Sequence, residues 1–141
     1  MSQSRTDVAM RLHAAAIHLL RQVRTQDEHM GLSPARASVL SILVFAGPRT
    51  LTQLTAAEQV AAPTMTKLIA GLERDGYVTR TSDAADGRVW IIKATTKARQ
   101  TLLAGRRRRL SYLRALLAGT SRSEWAAIEQ AVAVIERALQ R

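Results

Sequence analysis

Residues 51–93 read LTQLTAAEQVAAPTMTKLIAGLERDGYVTRTSDAADGRVWIIK, and local signals divide this stretch into two helices and a hairpin. Thr50 stands just before the first apolar residue, with Gln53 three positions on. That is the spacing of a capping box, in which hydroxyl and amide exchange hydrogen bonds with the first-turn backbone. A helix is expected from Leu51 to about Ala57, followed by a turn through Glu58, Gln59 and Val60. Pro63, whose missing N–H is no loss in a first helical turn, opens a second helix from about Ala62 to Arg74, and Gly76 just past its end suits a left-handed C-cap. Tyr77 to Arg80 and Val89 to Ile92 then read as two strands joined by a polar tip, Ser82 to Arg88.

The second helix has two unlike sides. Met65, Leu68, Ile69 and Leu72 recur at i, i+3, i+4 and i+7 and form a stripe for burial. At about 100° per residue the opposite side carries Pro63, Thr66, Lys67, Ala70 and Arg74, with Thr64 and Gly71 on its flanks. An ordinary amphipathic helix with a solvated face would look the same; the attached hairpin favours a helix-turn-helix with a wing. Small groups let such a helix approach base edges, threonine offers a donor, an acceptor and a methyl, and Lys67 and Arg74 can reach guanine acceptors or phosphates. At the hairpin tip Gly87 permits a tight reversal beside Arg88, with Asp83 and Asp86 near enough to orient a guanidinium. Narrow A·T-rich minor grooves attract inserted arginines, so Arg88 is the candidate shape probe, the alternative being a merely exposed turn arginine. The candidate DNA-contacting residues are Thr50, Pro63, Thr64, Thr66, Lys67, Arg74, Asp86 and Arg88.

These stretches make the chain resemble the MarR family of winged helix-turn-helix transcriptional regulators over nearly its whole length. The resemblance is carried by Gly31-Leu32-Ser33-Pro34 leading into Ala37 to Leu43, by Leu51-Thr52-Gln53-Leu54, by Pro63 to Ile69, by Leu72 to Arg80, and by Asp83 to Arg88. There are three departures from the family pattern. Gln59 stands where Gly is frequent, Ala61 and Ala62 where a Ser cap is frequent, and Ala98 where Gly is common after Thr95 and Thr96; this last change stiffens the start of a helix.

The 141 residues suit one compact domain, and 47% hydrophobic content can bury a core. A net charge of +10 suits a polyanionic partner, since phosphate neutralisation with counterion release dominates affinity for DNA. Absence of cysteine excludes a disulfide framework, a thiolate zinc site and a thiol redox switch. Metal sensing is disfavoured: His13 and His18 lie five apart, roughly 140° around a helix, and His29 is joined by no completing cluster. No cofactor, no paired-carboxylate site, no Ser/His/Asp set and no phosphate-cradling Gly loop is legible, so an enzyme is not expected. No window is apolar enough to cross a bilayer, and the expected location is the cytoplasm.

The flanks carry a second message. Val8, Leu12, Ala15/Ala16, Leu19 and Val23 make one apolar seam along a helix from about residue 4 to 29. Ser121 and Glu124 form a capping box, after which Trp125, Ile128, Val132, Ile135 and Leu139 advance by 3, 4, 3 and 4, a heptad seam. Between them Lys97 to about Ala118 reads as a long helix with Leu103, Leu110, Leu113 and Leu117 on one side, closed by Gly119. A winged helix alone cannot bury both terminal seams. The resemblance implies that first and last helices interlock across a two-fold axis, against the alternative of a monomer folding its tails over its own core. Arg106 to Arg109 place cations all round the long helix: solvation, pairing with a partner protomer, or an electropositive cleft for an anionic effector remain open, with Arg106 and Arg107 as candidates for the last.

The expectation is therefore a single domain over residues 1–141, mainly α with a small β-hairpin wing. Its winged lobe spans about 33–95, and its N- and C-terminal dimerisation helices about 4–29 and 97–141. Val8, Leu12, Leu19, Trp125, Ile128, Val132, Ile135 and Leu139 supply the dimer seams. The expected partners are a pseudo-palindromic duplex and a second copy of the chain. The resemblance adds repression relieved by a small effector, such as an anionic aromatic. An architectural or protein-interaction module without a specific operator is the alternative, and a basic helix lying on a membrane is disfavoured because the arginines do not share one face.

Overall fold

The computed structural model describes residues 2–140. Elements follow in the order α1 (Ser2–Arg24), a 3-10 helix (Thr25–Met30), α2 (Pro34–Phe45), β1 (Arg49–Thr50), α3 (Leu51–Glu58), α4 (Ala62–Arg74), β2 (Val78–Ser82), β3 (Trp90–Ala94), α5 (Thr96–Leu116) and α6 (Arg122–Leu139). Mostly helical with one small antiparallel sheet, the chain has the expected fold class. It forms two compact units that divide between Arg109 and Leu110.

In the first unit, capping chemistry sets most boundaries. Ser33 caps α2 by accepting the Arg36 N–H at 3.3 Å, with Pro34 behind it in the first turn. Thr50 and Gln53 form the expected box: the Gln53 N–H reaches the Thr50 hydroxyl at 3.1 Å and the Thr50 N–H reaches the Gln53 amide oxygen at 2.9 Å. Gln59 ends α3 in the left-handed region at φ 54°, a conformation that glycine adopts at less cost, which accounts for the Gly frequent there in the family. Gly76, at φ 79°, turns the chain out of α4. Thr95 closes the wing onto α5; its N–H donates to Tyr77 O at 3.0 Å, its hydroxyl donates to Gly76 O at 2.7 Å, and the same Thr95 hydroxyl oxygen accepts the Ala98 N–H at 3.3 Å.

The core of this unit joins Val39, Leu40, Leu43 and Val44 of α2, Leu54 of α3, Met65, Ile69 and Leu72 of α4, Val78 and Ile92 of the sheet, and Ala98 and Leu102 of α5. Burying each such Val, Leu, Ile or Met side chain stabilises by roughly 1.5–3 kcal/mol. Ala98 is fully buried.

The structure adjusts several boundaries. Strand order is β1-β3-β2, with Arg49 opposite Ile92, Val78 opposite Ala94 and Ser82 opposite Trp90. The two-residue β1 makes the wing three-stranded at its base, and each hairpin strand lies one or two residues further along than its sequence pattern suggested. The first helix does not continue to residue 29: the α-helix ends at Arg24 and tightens into the 3-10 turn. That turn is held from α5, where Asp27 pairs with Arg109 and Met30 packs on Gly105. On α5 it is Leu102 that enters the core, whereas Leu103 is half-buried.

The second unit contains the end of α5 and all of α6. Ser121 and Glu124 form the expected box, the Ser121 N–H donating to the carboxylate at 2.7 Å and the Glu124 N–H to the hydroxyl. The backbone and hydroxyl bonds from Ser121 hold the Glu124 carboxyl below its ordinary pKa. No residue of α6 is buried.

Candidate nucleic-acid interface

Helix α4 presents the two sides its sequence requires. Met65, Ile69 and Leu72 are buried and Leu68 half-buried, while Pro63, Thr64, Thr66, Lys67, Ala70 and Arg74 are exposed. Among the described residues no carboxylate pairs with Lys67, so its ammonium is available to a ligand. Arg74, three-quarters exposed, lies 3.5 Å from Asp75. The Thr66 hydroxyl donates to Ala62 O at 2.9 Å. Its proton is spent within the helix, leaving an acceptor oxygen and a methyl rather than the full set its sequence suggested.

Gly71 is a correction. It is buried rather than flanking the exposed face, because the Arg36 guanidinium crosses it from α2, and a Cβ there would collide with Arg36 Nη2. Arg36 continues to Asp75, its Nη1 donating to Oδ2 at 2.7 Å. This bond is the main reason the Asp75 carboxyl titrates below its ordinary value, with the charges of Arg74 and Arg36 adding to it. From α5, Lys97 donates to the Asp75 carbonyl at 2.6 Å and lies 4.4 Å from the Tyr77 ring centre, a cation–π contact. The C-terminus of α4 is thereby clasped by α2 and α5 together.

The wing is tied to the same helix. Arg80 of β2 donates from Nε and Nη2 to both oxygens of Glu73 at 2.7 and 2.9 Å, a bidentate pair that lowers the Glu73 pKa and raises that of Arg80. At the tip the Asp83 and Asp86 carboxylates accept the N–H groups of Ala85 and Arg88 at 3.1 and 3.0 Å, so each builds its own local turn. The Arg88 side chain is 96% exposed, with Nε 3.6 Å from Asp86 Oδ1. Asp86 thus shapes the tip and loosely steers a guanidinium that is otherwise surrounded by solvent. The Thr50 hydroxyl, occupied as a cap acceptor, lines a groove of about 240 Å³ between α4 and β3, together with Thr66, Arg80, Arg88 and Trp90. Neither Arg80 nor Trp90 stands out in the sequence as a site residue; the Glu73–Arg80 pairing spans a turn that periodicity does not describe.

A second cavity of about 430 Å³ lies between the 3-10 turn, α2 and α5, with Arg24, Asp27 and Arg109 among its lining and Leu32, Ala37 and Leu102 as apolar walls. Arg106 and Arg107 are exposed and do not line it; Arg109, paired with Asp27, does. Among the described residues no cluster of His, Asp or Glu could hold a metal ion, and no helix is long and apolar enough to cross a membrane.

The seam residues are open. On α1, Val8, Leu12 and Leu19 are 58, 50 and 42% exposed; on α6, Trp125, Val132, Ile135 and Leu139 are exposed and Ile128 is half-buried. Trp125, Ile128 and Val132 line a hollow of about 760 Å³ along α6.

A helix-turn-helix whose second helix turns a polar, cationic face outward, followed by a hairpin with an arginine at its tip, defines a DNA-binding regulator of transcription of the winged helix-turn-helix class. The chain belongs to the MarR family: the MarR family model matches residues 30–89. An HTH-type transcriptional regulator of Mycobacterium tuberculosis is 32% identical over 124 residues, 88% of this chain and 87% of the relative. One from Mycobacterium leprae is 31% identical over 113 residues, covering 80% and 79%. Among solved structures, a transcriptional regulator from Thermotoga maritima superposes with a TM-score of 0.81 at 25% identity, over 96% of this chain and 99% of that one. A mutant of MepR from S. aureus, solved bound to an oligodeoxyribonucleotide, shares the fold with a TM-score of 0.74 at 19% identity, covering 94% and 97%. These relatives are regulators of transcription rather than enzymes.

Proposed function

We propose that residues 1–141 act as one functional domain, a homodimeric, operator-specific repressor that works in the cytoplasm and is released by a small effector. The observation that carries this reading is that the two apolar seams and the polar face of α4 are exposed on the same chain. Large apolar patches on a soluble protein mark association sites, and closed two-fold pairing is the usual solution. In that dimer Val8, Leu12 and Leu19 of α1 and Trp125, Ile128, Val132, Ile135 and Leu139 of α6 cover one another across the axis. Two α4 helices then enter successive major grooves about one helical turn apart. Pro63, Thr64, Thr66, Lys67 and Arg74 face bases or phosphates, Thr50 stands at the backbone, and Arg88, steered by Asp86, enters the flanking minor groove.

The cavity beside the 3-10 turn supports the effector step. Its size falls within the roughly 300–1,000 Å³ usual for small-molecule sites, and its two arginines, Arg24 and Arg109, outnumber the one carboxylate, Asp27, that Arg109 pairs with, a balance that suits a singly charged anion. A ligand there shifts repression only if it binds the DNA-free geometry more tightly than the bound one. Arg106 and Arg107, outside that cavity, are left to solvation or to acidic groups of the partner.

Sedimentation of the protein alone and with duplex tests the assembly. Two protomers are expected in both species. A monomer that loads singly onto DNA, or affinity equal for a selected site and random duplex, would reject this reading in favour of an architectural coat.

A further inference from the structure

Trp90 is the first residue of β3, and strand alternation puts it on the same face as Ile92, which is fully buried. Trp90 itself is 51% exposed, because the inward row of the strand runs past the edge of the core. An indole left half in water at the rim of a core offers a large apolar face and one N–H donor to a contact. It stands over the groove between α4 and the wing, whose floor includes Ile69 and whose rim carries Thr50, Thr66, Arg80 and Arg88. At about 240 Å³ the groove lies below the roughly 300–1,000 Å³ of sites that enclose a whole small ligand, and suits one unit of a longer chain. Two arginines, three threonines and an aromatic face line it, and they match an anionic polymer with an apolar ring in each repeat. Arg80 spends two of its five N–H groups on Glu73, leaving Nη1 for an acceptor.

The position of the groove names the polymer. With α4 in a major groove and Arg88 in the adjoining minor groove, the strand that separates those two grooves must cross between helix and wing. We propose that this groove seats one sugar–phosphate unit of the bound duplex, its phosphate on Arg80 and Thr50 and its deoxyribose against the Trp90 indole; this rests on the DNA-binding reading above. Trp90 is then a backbone anchor that fixes how far the wing closes on the strand. It carries no base preference, since phosphates and sugars are alike at every step.

The test uses labelled duplexes of about 30 base pairs, long enough for two half-sites one turn apart, at low salt. Trp90→Ala is expected to bind all of them about tenfold more weakly, a loss of roughly 1.4 kcal/mol, with the ranking of sequences unchanged, and Trp90→Phe to recover most of that loss. Tryptophan emission of the wild type should change on duplex addition with the same midpoint as the anisotropy, and that change should be missing from Trp90→Phe, whose remaining tryptophan is Trp125. Wild-type binding with unaltered Trp90 emission and unchanged affinity in Trp90→Ala would overturn the backbone seat alone. Failure of the wild type to bind any duplex at low salt would overturn the seat together with the DNA-binding reading.

Discussion

Replacing Arg88 by alanine separates binding from folding more cleanly than any other substitution in the wing. The side chain is 96% exposed, its carboxylate neighbour is 3.6 Å away, and its backbone N–H, which Asp86 accepts, is kept in the variant. Surface changes of this kind stay within about ±0.5 kcal/mol of wild-type stability, so the melting temperature should move by no more than about 2 °C. Affinity should. Losing one DNA contact costs roughly 1–3 kcal/mol, and a symmetric dimer loses two, about 2–6 kcal/mol if the wings act independently. At about 1.4 kcal/mol per tenfold, the smallest expected loss is about thirtyfold. Each arginine that neutralises DNA charge contributes about 0.9 to the slope of log K against log salt, so the slope should fall by about 2. Fluorescence anisotropy on one duplex at four or five salt concentrations gives both numbers. Unchanged affinity and slope would refute the minor-groove role, and a fall of several degrees in melting temperature would show that Arg88 holds the wing instead.

Three further outcomes follow from the packing and the charges. Val132→Asp places a carboxylate in the middle of the α6 seam; because Val132 is 47% exposed in the protomer, the chain should still fold, and sedimentation should show monomers where the wild type gives dimers. Gly105→Val should cost about 1–3 kcal/mol of unfolding free energy, read as a lower urea midpoint at unchanged m, since even a Cβ would sit 2.6 Å from Met30 Sδ, and a Met30→Ala background should absorb most of the cost. The pKa values of Glu73 and Asp75 are both lowered in the fold, by Arg80 and Arg36, so their stabilisation is present above the unfolded carboxylate value of about 4 and is lost as pH falls through the native values. Unfolding free energies measured from pH 7 to 2 should therefore drop less steeply at the acid end for a Glu73→Gln/Asp75→Asn protein than for wild type. Parallel curves would contradict that assignment.

What the sequence discloses and what it hides divide by range. The bounds of α3 and α4 are legible to within a residue because their signals are local: a Thr50–Gln53 box, a proline in the first turn, and a glycine past the end. The α6 start at Ser121 is legible for the same reason. Gly71 misleads because its neighbour, Arg36, comes from another helix 35 residues away, and nothing in the wheel of α4 announces it. The end of α1 at Arg24 is hidden likewise, since the turn that follows is held by Gly105 and Arg109 rather than by its own periodicity. Strand β1 has only two residues, too few to alternate. Among candidate DNA contacts, exposure of Lys67, Arg74 and Arg88 follows from their positions, whereas Trp90 escapes notice because apolar strand residues ordinarily face a core.

The central claim is that one chain supplies half of a two-fold reader. In vitro selection of bound duplexes by the purified protein, followed by sequencing, addresses it directly. The account predicts enrichment of a pseudo-palindrome whose half-sites are centred about one helical turn, roughly 10 base pairs, apart, with A·T-rich steps where the wings fall. Enrichment of a single unrepeated site, or of no motif at all, would contradict it.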